Sequence, residues 1–264
     1  MSLRRILTAT FAAAAALTLS MIAVRADTLD DIIKRGTIRI AIDLTAPPFG
    51  FQNKEMQPDG ADVETAKLLA DQLGVKLEVV PSTSANRIAY LQSSRVDLTM
   101  STLAISPERA KAIKFSSPYS FIRGVILGPK SSVIKNYEDL GGKKISVARG
   151  TTNEADTAAR MPKNAELIRF DDEAGAMNAL ASGQVDAYAV GEPLGNPLIA
   201  KFPDKGIETK IVLRINYLAV GMRRDSTGLL QWVNTFVMFN QANGELSRIY
   251  KKHVGVDLPP LPTL

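Results

Sequence analysis

The sequence predicts an α/β fold in which strands alternate with helices, giving mainly parallel sheets in two similarly built lobes. Three observations predict it: the alternation itself, its restart after Gly128-Pro129, and a short internal echo. At the start, Thr37-Ile-Arg-Ile-Ala-Ile-Asp43 is a β-rich run and Pro47-Pro48 breaks the chain. Asp62 to Leu73 then carries apolar residues at Val63, Ala66, Leu69 and Ala70 before Gly74, which reads as a helix with a glycine stop. Lys76 to Val80 supplies a second strand, Asn86 to Ser93 a helix and Val96 to Met100 a third strand. Strands separated by helices imply crossover connections and hence parallel pairing.

The rhythm resumes with strands at Lys144 to Ala148, Glu166 to Phe170 and Asp186 to Val190, and helices near Asn153 to Ala159 and Glu173 to Ser182. The echo is Leu91-Gln-Ser-Ser-Arg-Val-Asp97 against Leu180-Ala-Ser-Gly-Gln-Val-Asp186, in each case a helix end running into a buried strand. Leu218 to Met222 gives a closing strand, and an amphipathic helix from about Thr227 to Ala242 covers a sheet. Trp232 and its neighbouring aromatics have core spacing. His253, the only histidine, reads as a helix C-terminal residue rather than a metal ligand or catalyst.

The N-terminus has a charged start, Arg4-Arg5, an apolar centre from Ile6 to Val24, and a small-residue close at Val24-Arg25-Ala26. It reads as a signal peptide of the general secretion route, cleaved after Ala26. Cleavage removes Arg4, Arg5 and Arg25 and no acid, lowering the formal charge from +5 to +2. A nearly balanced mature chain without a Lys/Arg block has no electrostatic footprint for nucleic acid. With no cysteine, disulfides, thiol catalysis, Cys-ligated metals and a lipidated N-terminal cysteine are excluded.

Taken together, these residues resemble the polar-amino-acid (family 3) periplasmic solute-binding proteins of ABC importers. The resemblance is carried by Gly36 to Asp43 with Pro47-Pro48-Phe49, Asp62-Val63 with Ala66 to Ala70, Leu73-Gly74-Val75 and Val96-Asp97-Leu98. It continues through Ile105-Ser-Pro-Glu-Arg109, Phe115 to Tyr119, Asp139 to Lys143 and Gly150-Thr151-Thr152. It implies a periplasmic-binding-protein fold with a discontinuous lobe 1, about 27–121 and 216–264, lobe 2 at 122–215 inserted between, and two hinge crossovers. It also implies a small-molecule ligand in the cleft, permease subunits as membrane partners, a monomer, and no cofactor.

Site residues follow from local chemistry and from the resemblance. Ser106 is a good N-cap, Pro107 suits the first helical position, and Glu108 favours the positive end of the helix dipole. Within that turn, Arg109 matches the family arginine that grips a ligand carboxylate, for which its planar fork is suited. Gly150-Thr151-Thr152 follows a strand and opens a helix, so the N–H groups around Thr152 form an anion site on the opposite lobe. Ser101 and Thr102 match polar residues past a lobe 1 strand, and Asp43 matches a position near the ligand side chain. Arg87 matches an arginine that grips a side-chain carboxylate in the acidic-amino-acid binders, and equally reads as an exposed helix arginine. Ala104 and Gly191 depart from the family, standing where a Ser or Thr and an Asp hold the ligand ammonium. Glu192 compensates only if the strand before it has ended, because adjacent strand side chains face opposite ways.

Arg87 and Arg109 together favour an acidic amino acid or a dicarboxylate, with an amino-acid derivative whose cation pairs with Asp43 as runner-up. The rival class is an enzyme on the same scaffold, a cyclohexadienyl-dehydratase-like lyase, which requires a general acid in the cleft. Glu154, Glu173 and Glu192 are near in sequence, but none matches the position expected for that acid, so a non-catalytic binding protein is the expectation.

Overall fold

The computed structural model describes residues 28–263, so the leader and cleavage point read at residues 1–26 lie outside the described residues. Helix α1 (Thr28–Arg35) leads into β1 (Thr37–Ile42), followed by three short strands, β2 (Thr45–Ala46), β3 (Gly50–Gln52) and β4 (Pro58–Asp59). Helix α2 (Ala61–Leu73), β5 (Lys76–Pro81), α3 (Arg87–Gln92), β6 (Leu98–Thr99) and the single turn α4 (Pro107–Ala110) complete the first half. Strand β7 (Lys114–Pro129) passes to a second half made of β8 (Lys144–Ala148), α5 (Thr152–Arg160), β9 (Glu166–Phe170), α6 (Glu173–Ser182), β10 (Ala187–Gly191) and α7 (Glu192–Lys201). Strand β11 (Ile207–Met222) returns, and α8 (Thr227–Ala242) and α9 (Glu245–Val254) follow it.

Eight strands join in the order β5-β1-β6-β11-β7-β10-β8-β9. Each half has its own parallel trio, β5-β1-β6 and β9-β8-β10. Between the trios, β7 and β11 pair antiparallel along most of their length, β11 also meeting β6 and β7 meeting β10. The chain therefore adopts the two-lobed fold, with both crossovers side by side in one ribbon. Register shifts in β11 at Thr209/Ile211 and Val212/Arg214 bend that ribbon as bulges do.

Each lobe's core follows from strand alternation. In β1, Ile38, Ile40 and Ile42 join Val63, Leu69, Val233 and Phe236 on one face, while Ala41 packs with Leu91, Val96 and Leu103 on the other. In β8, Ile145 and Val147 pack with Leu140, Leu167 and Ala187. The sequence echo has a structural cause. Asp97 accepts a hydrogen bond from Arg39 N at 2.8 Å and donates its own N–H to Arg39 O at 2.9 Å, clamping β1. Asp186 does the same to Lys144 on β8, at 2.7 and 2.8 Å.

Two of the elements that differ from the sequence reading lie next to the cleft or its ribbon. The third strand shrinks to Leu98–Thr99, although Asp97 N and Met100 N on either side still donate to Arg39 O and Ala41 O of β1. Helix α7 was not anticipated, since Pro193, Gly195 and the internal Pro197 erase its periodic signal. A Cβ at Gly195 would lie 2.3 Å from Leu127 Cδ1, so that glycine lets α7 lie close against β7. Trp232 packs against the core and stacks on Phe236 with ring centroids 6.0 Å apart. His253 lies in the last turn of α9, its Nε2 2.7 Å from Glu64 Oε2.

Candidate functional site

The residues after β6 form the lobe 1 wall of the cleft. Thr102 takes a left-handed backbone, φ 45°, which a β-branched residue adopts only under constraint. The constraint is Asp62 on α2, whose carboxylate accepts hydrogen bonds from Thr102 N at 2.8 Å and from the Tyr119 hydroxyl at 2.7 Å. Burial pushes Asp62 up to about 7, against the opposing pull of these two bonds. Ser101, fully buried, bonds to Ser82 Oγ at 3.3 Å, and its carbonyl accepts from Arg87 Nη1.

The Ser106-Pro107-Glu108-Arg109 turn forms as read. Ser106 is extended and its Oγ accepts from Arg109 N at 3.2 Å. The Arg109 guanidinium donates to Ala104 O at 2.6 Å and, across the cleft, to Gly150 O at 2.8 Å. Among the described residues it makes no ion pair. Burial lowers it to about 9, and repulsion from Arg87 and Arg214 acts in the same direction. Arg109 is a half-buried cation whose charged neighbours are cations.

Arg87 is the largest fully buried side chain among the described residues and sits differently. Burial lowers it to about 10, while the charges of Asp43, Glu173 and Asp62 hold it up. Its Nη2 also reaches Gly150 O at 3.5 Å. Asp43 is pushed up by burial, despite accepting from Thr45 N at 2.9 Å and Thr45 Oγ1 at 2.7 Å; its Oδ2 has no hydrogen-bond partner among the described residues.

On lobe 2 the cap of α5 is Thr151 rather than Thr152. The Thr151 hydroxyl accepts from Glu154 N at 3.0 Å, and the Glu154 carboxylate accepts from Gly150 N at 2.7 Å, a capping box one residue out of register. Thr152 and Asn153 start the helix, where N–H groups have no carbonyl four residues back. The Thr152 hydroxyl bonds to Asn216 Oδ1 on the hinge ribbon at 3.0 Å. Gly150 has φ 77°, and a Cβ there would lie 2.8 Å from Ser84 O on lobe 1. This is where the lobes approach through backbone.

Between the walls lies a cavity of about 340 Å³, counting space open to solvent. Arg87, Thr102, Ala104, Arg109, Thr152 and Gly191 line it, so six of the residues singled out in the sequence converge. Asp43 and Ser101 stand behind that lining, acting on Arg87. Glu192 is elsewhere: β10 does end at Gly191, but the Glu192 side chain pairs with Arg123 on the hinge ribbon, 2.8 Å from Arg123 Nε. It faces a second groove, with Phe121, Pro193 and Tyr250, and does not replace an acid at position 191.

Gly191 itself is backed by hydrocarbon. A Cβ there would lie 2.1 Å from Ile122 Cδ1 and 3.5 Å from Leu194 Cδ1, and both side chains line the cavity. Sequence reasoning passed over Glu173, noting it only as an acid outside the expected catalytic position, yet it lines the cavity. It is 6% exposed, its Oε2 accepts from the Tyr188 hydroxyl at 2.5 Å, and burial pushes it up to about 7. Asp172, which caps α6, holds Glu173 in the first helical turn, and that capped start was the available signal.

Residues 38–256 match the bacterial extracellular solute-binding proteins, family 3, and the chain belongs to that family. It is 30% identical over 232 residues to the L-cystine-binding protein TcyJ of Escherichia coli (strain K12), with 87% of each chain covered. It is 28% identical to the ABC transporter glutamine-binding protein GlnH of Bacillus subtilis (strain 168), covering 88% of this chain and 86% of that one. Among solved structures, the ancestral amino acid-binding protein AncCDT-1, a precursor of cyclohexadienyl dehydratase, matches with a TM-score of 0.79 and 34% identity over 86% of this chain and 99% of that one. The cysteine-binding protein of Campylobacter jejuni matches with a TM-score of 0.81 and 25% identity, over 86% and 92% of the two chains.

Proposed function

We propose that this chain is the substrate-binding protein of an ABC importer and closes its two lobes on a small carboxylate of amino-acid type. The observation that carries the reading is Arg109, a half-buried guanidinium with carbonyl partners and cationic neighbours, facing the N-terminal turn of α5. A buried charge without a counter-charge is costly. A carboxylate there would meet the fork of Arg109 on one side and the free N–H groups of Thr152 and Asn153 on the other, joining the lobes. In this reading lobe 1 is residues 27–121 and 216–264, lobe 2 is 122–215, and Thr102, Arg87 and Gly191 complete the ligand wall. Export to the periplasm after cleavage at Ala26, action as a monomer and docking to permease subunits belong to the same proposal; the binding proteins among the relatives support it.

The two arginines do not by themselves favour an acidic ligand. Arg87 already faces Asp43, Glu173 and Asp62, so only Arg109 lacks a charged partner. The test is a thermal-shift screen of amino acids, their deaminated relatives and dicarboxylates, run in parallel on Arg109→Ala. A ligand that binds only the folded state raises Tm. The proposal expects stabilisation of the wild type by a subset of carboxylates and none by the same compounds in Arg109→Ala. Equal stabilisation of a folded Arg109→Ala would overturn it.

A further inference from the structure

The cavity is charged differently at its two ends. At the Arg109 end the neighbouring charges are Arg87 and Arg214. Arg87, between the ends, is set on its other side among three acids, Asp43, Asp62 and Glu173. Of these, Glu173 lines the cavity. Its Oε2 is taken by Tyr188, while no described residue donates to its Oε1. The wall at Gly191 offers Ile122 and Leu194, with Ala104 also on the lining, so no carboxylate there receives an ammonium on the ligand's α-carbon.

Building on the carboxylate reading of Arg109, we propose that Glu173 is the ligand's second anchor. It receives an ammonium or N–H donor carried away from the α-carbon, so that the cavity selects an ω-amino carboxylate over a dicarboxylate. A zwitterion of that kind places its carboxylate where cations gather and its ammonium where acids gather. A dicarboxylate would bring a second negative charge towards Glu173 and Asp43, and hydrocarbon at Gly191 makes the α-ammonium dispensable. Oε1 accepts from the ligand while Oε2 keeps its bond from Tyr188.

Four probes separate these claims: 5-aminopentanoate, L-ornithine, glutarate and L-glutamate, titrated calorimetrically into the wild type, Glu173→Gln, Glu173→Asp and Arg109→Ala. The wild type should bind 5-aminopentanoate and ornithine at least tenfold more tightly than glutarate and glutamate, with the α-ammonium changing affinity little within each pair. Glu173→Gln retains an acceptor for Tyr188 and should fold; it should lose tenfold or more for the distal ammonium pair and nothing for glutarate. Glu173→Asp keeps the charge and should recover part of the loss. The groups facing Glu173 are Arg87 from α3, Asp43 from the end of β1, Asp172 from its own cap and Tyr188 from β10. Among these, Glu173 is the acid on the lining, so 5-aminopentanoate should bind more weakly as the pH falls from 8 to 5.5, less so in Glu173→Gln. Unchanged preference and pH profile in a folded Glu173→Gln overturn this proposal alone. Wild-type protein that binds neither 5-aminopentanoate nor ornithine overturns it as well, whereas binding that survives Arg109→Ala overturns the carboxylate reading beneath it.

Discussion

Arg87 and Arg109 line the same cavity, and both reach towards the Gly150 carbonyl, yet they are opposite kinds of arginine. Arg87 is locked to Ser101 and surrounded by Asp43, Asp62 and Glu173. Arg109 has two carbonyls and, for charged company, two more arginines. The first completes a buried network that joins Asp43 and Asp62 to Glu173 across the cleft, and its removal would strand acids. The second, in the proposed reading, receives the anion of the ligand. Equivalent residues in a sequence can therefore differ in role because of what is packed beside them.

The largest expected effect breaks this contrast at its receptor. Arg109→Ala should weaken binding of a carboxylate ligand by about 2–5 kcal/mol, roughly 30-fold to several-thousand-fold, read by calorimetry, with little change in stability. Arg87→Ala should differ in kind, lowering Tm of the ligand-free protein because three carboxylates lose their shared cation. A fold as stable as wild type in Arg87→Ala would contradict the assignment.

The next effect concerns pH. Asp62 and Glu173 are raised to about 7 in the folded protein, from 3.8 and 4.5. Between those limits the folded chain holds protons that the unfolded chain has released, so their contribution is complete below about pH 4 and is lost as pH rises through about 7. Urea unfolding should therefore show lower stability at pH 8 than at pH 5, on the order of a few kcal/mol. The difference should shrink in Glu173→Gln.

Smaller again is Gly150→Ala, which puts an L-residue at φ 77° and a methyl 2.8 Å from Ser84 O. About 1–2 kcal/mol of strain is expected from the backbone alone. Separation of the lobes would relieve the contact, so small-angle scattering should show a larger radius of gyration for the variant, closing only partly with ligand. The smallest effect is Ser106→Ala, which removes the cap of the Arg109 turn. It should cost about 0.5–1 kcal/mol in ligand binding by loosening a residue whose own side chain is unchanged.

The strands and helices flanking the site were legible because each carried its own local signal. Lys144–Ala148, Glu166–Phe170, Glu173–Ser182 and Thr227–Ala242 match the sequence reading residue for residue. The continuous lengths of β7 and β11 were not legible, since a strand that crosses between two cores changes its burial pattern midway. Arg109 and the α5 turn were readable from a cap motif and a strand-to-helix glycine. Glu173 was missed because its meaning lies in distant partners: Tyr188 on β10, Asp43 beyond β1, and Arg87 across the cleft. The same reason separates Glu192 from the site, since only the fold shows its carboxylate turned to Arg123.

The central claim is that Arg109 and the start of α5 together read a carboxylate, and it is tested most directly by changing the ligand and leaving the protein intact. Wild-type protein titrated with 5-aminopentanoate and with 5-aminopentanamide compares two molecules that differ in the carboxylate and share the distal ammonium. The account predicts that the amide binds at least 30-fold more weakly, since it brings no charge to the unpaired guanidinium. Equal affinity for acid and amide would contradict it.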